Sequence, residues 1–359
     1  MNTTICIIDD HVIVRQGLKQ LLEKISDYQV IHEFDNGDDF LDALPLHPNP
    51  DIYILDYSMP NKNGIQVLKE LETANQIPTQ SQLDTLSKYV GFGGLADAFD
   101  PDSKNYREEY DELLEILSPR EYENLRSSVL TSFYTPSDVI LPIYEALENM
   151  GFEKGKILET SCGTGKFIGH LPESMKDSKF VGVELDEITG KIAKLLYPEA
   201  DIQIKGYEAT NFEDNTFDLA IGNVPFGQYK VNDKEYNHLN FFIHDYFFAK
   251  TIDKVRPGGI VALVTSKGSL DKQDSKLREL LSEKANLIGA VRLPNTAFKN
   301  VGTKVTSDII FLQKKTNEDM ERSEGKNSFV NLKSDENGIL MNEYFVDNPH
   351  MILGQMKEI

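Results

Sequence analysis

Asn223-Val224-Pro225-Phe226 follows directly on an apolar run, Leu219–Ile221. An amide, a rigid turn and an aromatic ring therefore stand at the end of a buried strand. The Asn223 side chain can accept a hydrogen bond from an exocyclic amino group. Pro225 restricts the backbone, so that the Val224 carbonyl can point at the same group. Phe226 can stack on a flat base. Together these residues suit a pocket for a flipped purine whose amino nitrogen reacts. Taken alone, the same four residues also read as an ordinary Asn-x-Pro turn after a strand.

A second constellation lies upstream. Lys156–Phe167 reads KILETSCGTGKF, a short apolar strand running into a Gly-x-Gly turn with a helix after it. Gly163 and Gly165 allow close approach of backbone to a ligand at the strand's carboxyl end. Glu159 stands at the strand tip, where a carboxylate can face a cationic or amino-bearing cofactor. A phosphate-binding P-loop is excluded, because it needs glycine where Thr160 stands and Ser or Thr where Phe167 stands. A dinucleotide fingerprint fails as well, with Ile168 in place of its third glycine. Lys179–Asp186 is a further strand ending in acids. It carries Glu184 at the distance where doubly wound folds place a ribose-binding carboxylate. Ile202–Phe212 offers another strand with Tyr207-Glu208 at its end, suited to an adenine-ring contact. Each acid alone reads more simply as a solvated loop carboxylate; the ordered series of strand ends favours ligands.

In this order, residues 131–315 resemble an S-adenosylmethionine-dependent DNA methyltransferase acting on the adenine N6 amino group, of the gamma class. Phe133-Tyr134-Thr135-Pro136 matches that class's leading, cofactor-contacting motif. Cys162-Gly163-Thr164-Gly165 matches the cofactor loop, Glu184 the ribose acid, and Asn223–Phe226 the catalytic tetrapeptide. The family has proline where this chain has Val224, and Asp-Pro-Ala where it has Glu159-Thr160-Ser161. Residues 65–100, Arg292–Gln313 and Asn342–Gly354 are similar to segments of methylase–helicase proteins of conjugative elements and phages. That resemblance implies DNA as partner and a helicase domain or subunit missing from this chain. The implied fold class is α/β, a Rossmann-like methyltransferase core preceded by a truncated receiver-like α/β segment.

The N-terminus is of another kind. Thr4–Asp10 is an apolar strand ending in Asp9-Asp10, Gln29–Phe34 a second strand, and Asp51–Asp56 a third. Acids at two strand ends can converge on a divalent metal. Residues 1–64 resemble the first half of a response-regulator receiver. Asp9 and Asp10 match its metal acids, Asp56 its phosphoacceptor and metal contact, and Met59-Pro60 and Asn63-Gly64 the following loop. Magnesium is implied at those acids. No later strand ending in Ser or Thr, and none ending in Lys, precedes the methylase-like region, so a remnant acting as a packing module is the alternative.

The elements that must position these residues divide the chain into four. Residues 1–64 alternate strand and helix. Residues 65–130 are mostly helical, with Ile65–Ala74 and Asp111–Leu130 as helices around a tight Gly91-Phe92-Gly93-Gly94 loop. Residues 131–315 form the alternating core, and residues 316–359 a linker and tail, polar over Thr316–Lys333. Within the core, Asn237–Val255 is expected as one aromatic-rich helix ended by Pro257-Gly258-Gly259, with Ile260–Thr265 as the next strand.

Composition bounds the class. The 359 residues are 40% hydrophobic, enough for a core in two or three domains. Two cysteines, Cys6 and Cys162, give no disulfide framework. Met1–Ile8 lacks a basic start and meets Asp9 at once, and no apolar run approaches the roughly 20 residues of a membrane span. A cytoplasmic enzyme without membrane contact is expected. The net charge is −21, yet residues 223–315 hold 15 basic and 9 acidic side chains. That local excess is expected on the half facing a nucleic-acid strand; clustering on solvated helix faces is the alternative. Cytosine-C5 chemistry is excluded, since no Pro-Cys pair follows a strand. Two other functions fit the same fold. One is methylation of a protein amide such as glutamine. The other is a catalytically silent DNA-binding or scaffolding module.

Overall fold

The computed structural model describes residues 3–10, 12–24, 27–43, 50–56, 99–101, isolated positions from 103 to 126, and 135–298, 306–321 and 329–354. The chain divides into two compact units, Met1–Tyr89 and Val90–Ile359. The expected helix at 65–74, the glycine loop at 91–94, the Met59-Pro60 and Asn63-Gly64 loop, and Phe133 and Tyr134 lie outside the described residues. Only isolated positions of the expected helix at 111–130 are described.

In the first unit, β1 (Thr3–Ile8), β2 (Tyr28–Phe34) and β3 (Ile52–Leu55) form a parallel sheet in the order β2-β1-β3. The helix α1 (Val12–Glu23) joins the first two strands, and α2 (Gly37–Ala43) follows the second. Cys6, Ile8, Phe40 and Tyr53 pack together beneath the sheet. The Asp9 amide donates to the Phe34 carbonyl and the Asp56 amide to that of Ile8. The carboxyl ends of the strands are thereby aligned.

The second unit holds a seven-stranded sheet ordered β6-β5-β4-β7-β8-β10-β9. Its strands are β4 (Lys156–Glu159), β5 (Lys179–Glu184), β6 (Asp201–Ile204), β7 (Phe217–Asn223), β8 (Val255–Ser266), β9 (Ala285–Arg292) and β10 (Ser307–Lys314). The first five run parallel; β10 is antiparallel to both β8 and β9. The chain moves outward from β4 through β5 to β6, then returns to β7 on the other side of β4. That reversal opens a crevice at the carboxyl ends of β4 and β7, where doubly wound sheets bind ligands.

Both faces of this sheet are covered, so its strands are apolar on successive residues. Along β7, Phe217 and Ala220 enter one core and Leu219 and Ile221 the other. Along β8, Val261 and Leu263 alternate in the same way with Ala262 and Val264. The helix α3 (Ser137–Asn149) contributes Ile140, Ile143, Tyr144 and Leu147 to the second core. Each such side chain, fully buried, contributes about 1.5–3 kcal/mol.

Three expectations are corrected. The helix expected from Asn237 begins at Ile243, because Asn240 adopts a left-handed conformation with φ 56°. It ends at Lys254, and Pro257-Gly258-Gly259 lies inside β8 instead of capping it. Val255 pairs with Phe217 and Ile260 with Leu219, so the intervening residues bulge out of the ladder, with Gly258 at φ 75°. The stretch expected as linker and tail supplies Phe329, Met341 and Phe345 to the first core. There β11 (Leu332–Ser334) and β12 (Leu340–Asn342) pair antiparallel. The buried Asn342 amide donates to the carbonyls of Leu270 and Phe329 at 3.1 and 2.8 Å. Widely spaced apolar anchors in a polar stretch left no periodicity to read.

Candidate active site

β4 ends in Glu159, whose carboxylate is buried and whose Oε2 has no hydrogen-bond partner among the described residues. Burial, and then the charge of Glu184, pushes its acid form to well above the ordinary carboxylate range. Thr160 Oγ1 beside it is buried and unpartnered as well. The loop then turns through Gly163 at φ 56° and Gly165 at φ 80°, conformations that L side chains rarely adopt. A Cβ on Gly165 would also stand 2.6 Å from the Tyr197 ring. Cys162 packs inward with Ala193 and Ile202. Burial raises its thiol far above the usual value, which disfavours the thiolate.

Glu184 ends β5 and accepts the backbone amides of Gly163 and Asp186, each at 2.8 Å. One carboxylate thus fastens the Gly-x-Gly loop to the next strand. Burial outweighs those hydrogen bonds and lifts its pKa to about 7. Asp186 serves the helix α4 (Glu187–Leu196) instead, accepting the Thr189 amide at 2.7 Å as its N-cap. Leu185 between them is 52% exposed and lies against the same cavity.

At the end of β6, Tyr207 is turned inward. Its ring lies 5.0 Å from that of Phe247 and 4.9 Å from the Lys250 ammonium, and its hydroxyl 3.3 Å from Thr251 Oγ1. The expected adenine contact is therefore not an open ring; the half-buried Glu208 and the exposed Leu185 present the accessible surfaces there.

Asn223 ends β7 beside β4. Ser161 Oγ donates to the Asn223 carbonyl at 2.6 Å, joining the cofactor-type loop to the tetrapeptide. The Val224 amide donates to the Val264 carbonyl, and the Val224 side chain is buried in the core. Gly222 stands at φ 142°, and a Cβ there would meet Glu159 Cγ at 3.2 Å. A cavity of about 380 Å³ opens over these strand ends, within the roughly 300–1,000 Å³ of small-molecule sites. Thr135, Glu159, Cys162, Gly163, Glu184, Tyr207, Glu208, Asn223 and Pro225 line it. Val224 and Phe226 do not, nor does Gly165, which shapes the turn. Pro136 precedes α3 as its N-cap residue.

No motif singled out Ser161, Leu185, Lys205 or Tyr229, all of which line the cavity. The one readable signal was a large exposed apolar residue directly after the ribose-type acid. The basic excess over 223–315 is largely internal. Lys250, Lys254, Arg278 and Arg292 are buried, and Lys250, Lys254, Arg256, Lys272, Lys284 and Arg292 pair with acids of the same segment or with Asp214 and Asp218. Lys230, Lys234, Lys267 and Lys276 remain exposed, so part of the positive charge holds the fold and part faces solvent.

In the first unit, Asp9, Asp10 and Asp56 place carboxylate oxygens within 4.8 Å of one another. Arg15 donates to the Asp9 carbonyl from α1.

Comparison with known proteins agrees with this layout. The response regulator receiver domain matches residues 5–82, and the N-6 DNA Methylase family matches residues 116–343. Defense against restriction protein B of Escherichia phage P1 is 28% identical over 269 residues, 73% of this chain and 11% of that protein. The type II methyltransferase M.CvrRI of Paramecium bursaria Chlorella virus XZ-6E is 35% identical over 95 residues, 26% of this chain and 24% of that enzyme. Transcriptional regulatory protein UhpA of Escherichia coli (strain K12) is 43% identical over 68 residues, 19% of this chain and 34% of that protein. The chain thus spans about a tenth to a third of these relatives. Among solved structures, the M protein of the type I restriction enzyme EcoKI aligns with TM-score 0.41 and 18% identity, over 69% of this chain and 59% of that one. No helix among the described residues is long and apolar enough to cross a membrane. With more than half of its residues matched from 116 to 343, the chain belongs to the N-6 DNA methylase family and carries a receiver domain at its N-terminus.

Proposed function

We propose that this chain transfers a methyl group from S-adenosylmethionine to the N6 amino group of a flipped adenine in DNA. The observation that carries the reading is the 2.6 Å hydrogen bond from Ser161 to the Asn223 carbonyl, which puts the loop of one ligand and the tetrapeptide of another on one cavity. The residues present fit the cofactor. Glu159, buried with an unpartnered oxygen, suits a cationic ammonium group, and Thr160 Oγ1 is a second orphaned polar atom beside it. Glu184 suits a ribose diol, and Leu185 the apolar face of an adenine. Thr135, Glu208 and the Gly163 backbone complete the wall; Phe133 and Tyr134 belong to the same proposed set.

S-adenosylmethionine supplies a methyl group on a positively charged sulfur. The chain supplies position and electrostatics. Asn223 and the Val224 carbonyl accept the two N6 hydrogens, drawing the nitrogen lone pair out of the ring and toward the methyl carbon. The N–C bond forms as the C–S bond breaks, and a proton then leaves N6 for water. Pro225 keeps that carbonyl in place, and Phe226 stacks on the ring. The barrier falls by alignment and by fixed dipoles rather than through a covalent enzyme intermediate.

In the assignment we propose, residues 1–64 are the receiver-like segment, 65–130 the lead-in and 131–315 the catalytic core. Residues 316–359 form a C-terminal extension, of which Phe329, Met341 and Phe345 pack into that core. The name of the phage P1 relative, defence against restriction, supports a place in mobile DNA, with a helicase domain or subunit as partner. Asp9, Asp10 and Asp56 are proposed to hold magnesium, and Asp56 to accept a phosphoryl group. The deciding experiment is mass spectrometry of nucleosides from DNA incubated with protein and isotope-labelled cofactor. Labelled N6-methyl-2′-deoxyadenosine is the expected product. Cofactor binding without a labelled nucleoside favours the silent module instead, and label on protein glutamine favours an amide methyltransferase.

A further inference from the structure

A second cavity adjoins the first. It measures about 300 Å³ and is built by the segment that follows the tetrapeptide. The Ile243 amide donates to the Tyr229 carbonyl, so residues 229–243 form a closed loop with its ends together. Val231 belongs to the walls of both cavities.

The loop is fixed from beneath. Asp233 Oδ2 accepts the buried Lys250 ammonium at 2.9 Å and the Tyr246 hydroxyl at 2.7 Å. Its backbone amide donates to Asn237 Oδ1 at 2.9 Å. The Lys250 ammonium also donates to the Tyr207 carbonyl at 2.8 Å, tying this loop to the turn on the first cavity's wall. A charge buried this deeply is costly unless it is fully paired, and here it holds one loop geometry.

The groups left facing outward suit a nucleobase. Asn237 Nδ2 donates to Asn232 Oδ1 at 2.7 Å, which fixes the Asn232 side-chain amide by its oxygen and leaves its amino group as a donor. Lys230 donates to Asn240 Oδ1 at 2.6 Å, which orients the Asn240 amino group in the same manner. Asn232, Asn240 and the half-buried Phe241 ring line the same cavity, with the Lys272 ammonium 5.9 Å from the ring centroid; amide donors with an aromatic ring are the pairing used for unstacked bases. Lys230, exposed on the wall of this cavity, offers a cation to a phosphate.

We propose that this second cavity binds the nucleotide next to the methylated adenine on the same strand, with Phe241 stacking on its base and Asn232 and Asn240 donating to its edge. The proposal rests on the adenine reading above for its choice of strand. Its test does not require methyl transfer. Oligonucleotides carry 2-aminopurine at the position before or after a single adenine, and fluorescence and anisotropy are read on mixing with the full chain. For one of the two positions, binding is expected to quench the base by stacking. Phe241→Ala is expected to relieve that quenching and weaken binding at least about fivefold, the low end for loss of one base–aromatic stack. Asn240→Ala, an exposed change, is expected to alter the ranking of the four natural bases at that position by threefold or more. Unchanged quenching in Phe241→Ala together with an unchanged ranking in Asn240→Ala would overturn the proposal. Quenching with no methylated product would instead count against the adenine reading alone.

Discussion

Arg292 and Asp308 meet across β9 and β10 as a buried fork, with Nε to Oδ1 and Nη2 to Oδ2 both at 2.8 Å. Asp271 lies 2.7 Å from the remaining guanidinium nitrogen, and the Phe345 ring 4.2 Å from the guanidinium carbon. The Arg292 carbonyl also accepts the Leu353 amide. One side chain thus gathers the two C-terminal segments that the sequence marked as distinctive, 292–313 and 342–354.

Replacing one member of such a pair strands the other charge. Arg292→Met is expected to lower unfolding free energy by about 3–5 kcal/mol, as breaking buried pairs does. Urea unfolding followed by circular dichroism measures it; a loss under 1 kcal/mol would show that the fork contributes little.

Asn223→Ala is expected to cut methyl transfer at least about a hundredfold, the scale of removing one aligned transition-state group. Affinity for S-adenosylmethionine should change less than about twofold, because the amide is placed to serve the base. Single-turnover kinetics and calorimetry separate the two; wild-type turnover in the variant would dismiss the tetrapeptide as the catalytic motif.

Glu184→Ala is expected to weaken cofactor binding by about 1.5–3 kcal/mol, the range for hydrogen bonds to a charged group. Unchanged affinity by calorimetry would move the ribose acid elsewhere.

The same carboxylate predicts a pH dependence. Its pKa of about 7 lies above the 4.5 of an exposed glutamate, so the folded chain favours its protonated form. The contribution to stability is therefore greatest at low pH and is lost as pH climbs from about 4.5 to about 7. Hydroxyls donating to the ionised form lower that pKa, so binding releases protons and affinity rises with pH through this window. Calorimetry at pH 6 in two buffers of different ionisation enthalpy reads the release. Proton uptake, or none, would contradict it.

Every described residue lining the 380 Å³ cavity lies in the second unit. Deleting residues 1–62, or Asp56→Asn, is accordingly expected to leave the rate within about twofold, under ~0.5 kcal/mol in barrier. A methylation assay with and without a small phosphodonor checks this. A large phosphodonor effect that vanishes in Asp56→Asn would make the receiver a control element.

How much was legible depended on how local the signal was. The strand ends at Glu159, Glu184 and Asn223 were readable because apolar runs of few residues stop at a polar residue there. How Tyr207 is turned was not legible, because an aromatic ring at a strand end looks the same whether it faces a ligand or the core; Phe247 and Lys250, about forty residues away, hold it inward while it still lines the cavity. The positive charge over 223–315 was likewise counted without its partners, which lie up to 40 residues away, as Asp214 does from Lys254. That residues 329–354 pack onto the core was not legible, because Phe329, Met341 and Phe345 find their neighbours only in three dimensions.

Gly222 carries a consequence for substitution at this site. The cofactor-side acid and the base-side amide occupy neighbouring strands, and the only slack between them is the missing Cβ of Gly222, 3.2 Å from Glu159 Cγ. A methyl group there would crowd that acid and strain a backbone held at φ 142°. A side chain at Gly222 would therefore be felt at Glu159, one strand away, as well as at Asn223 beside it.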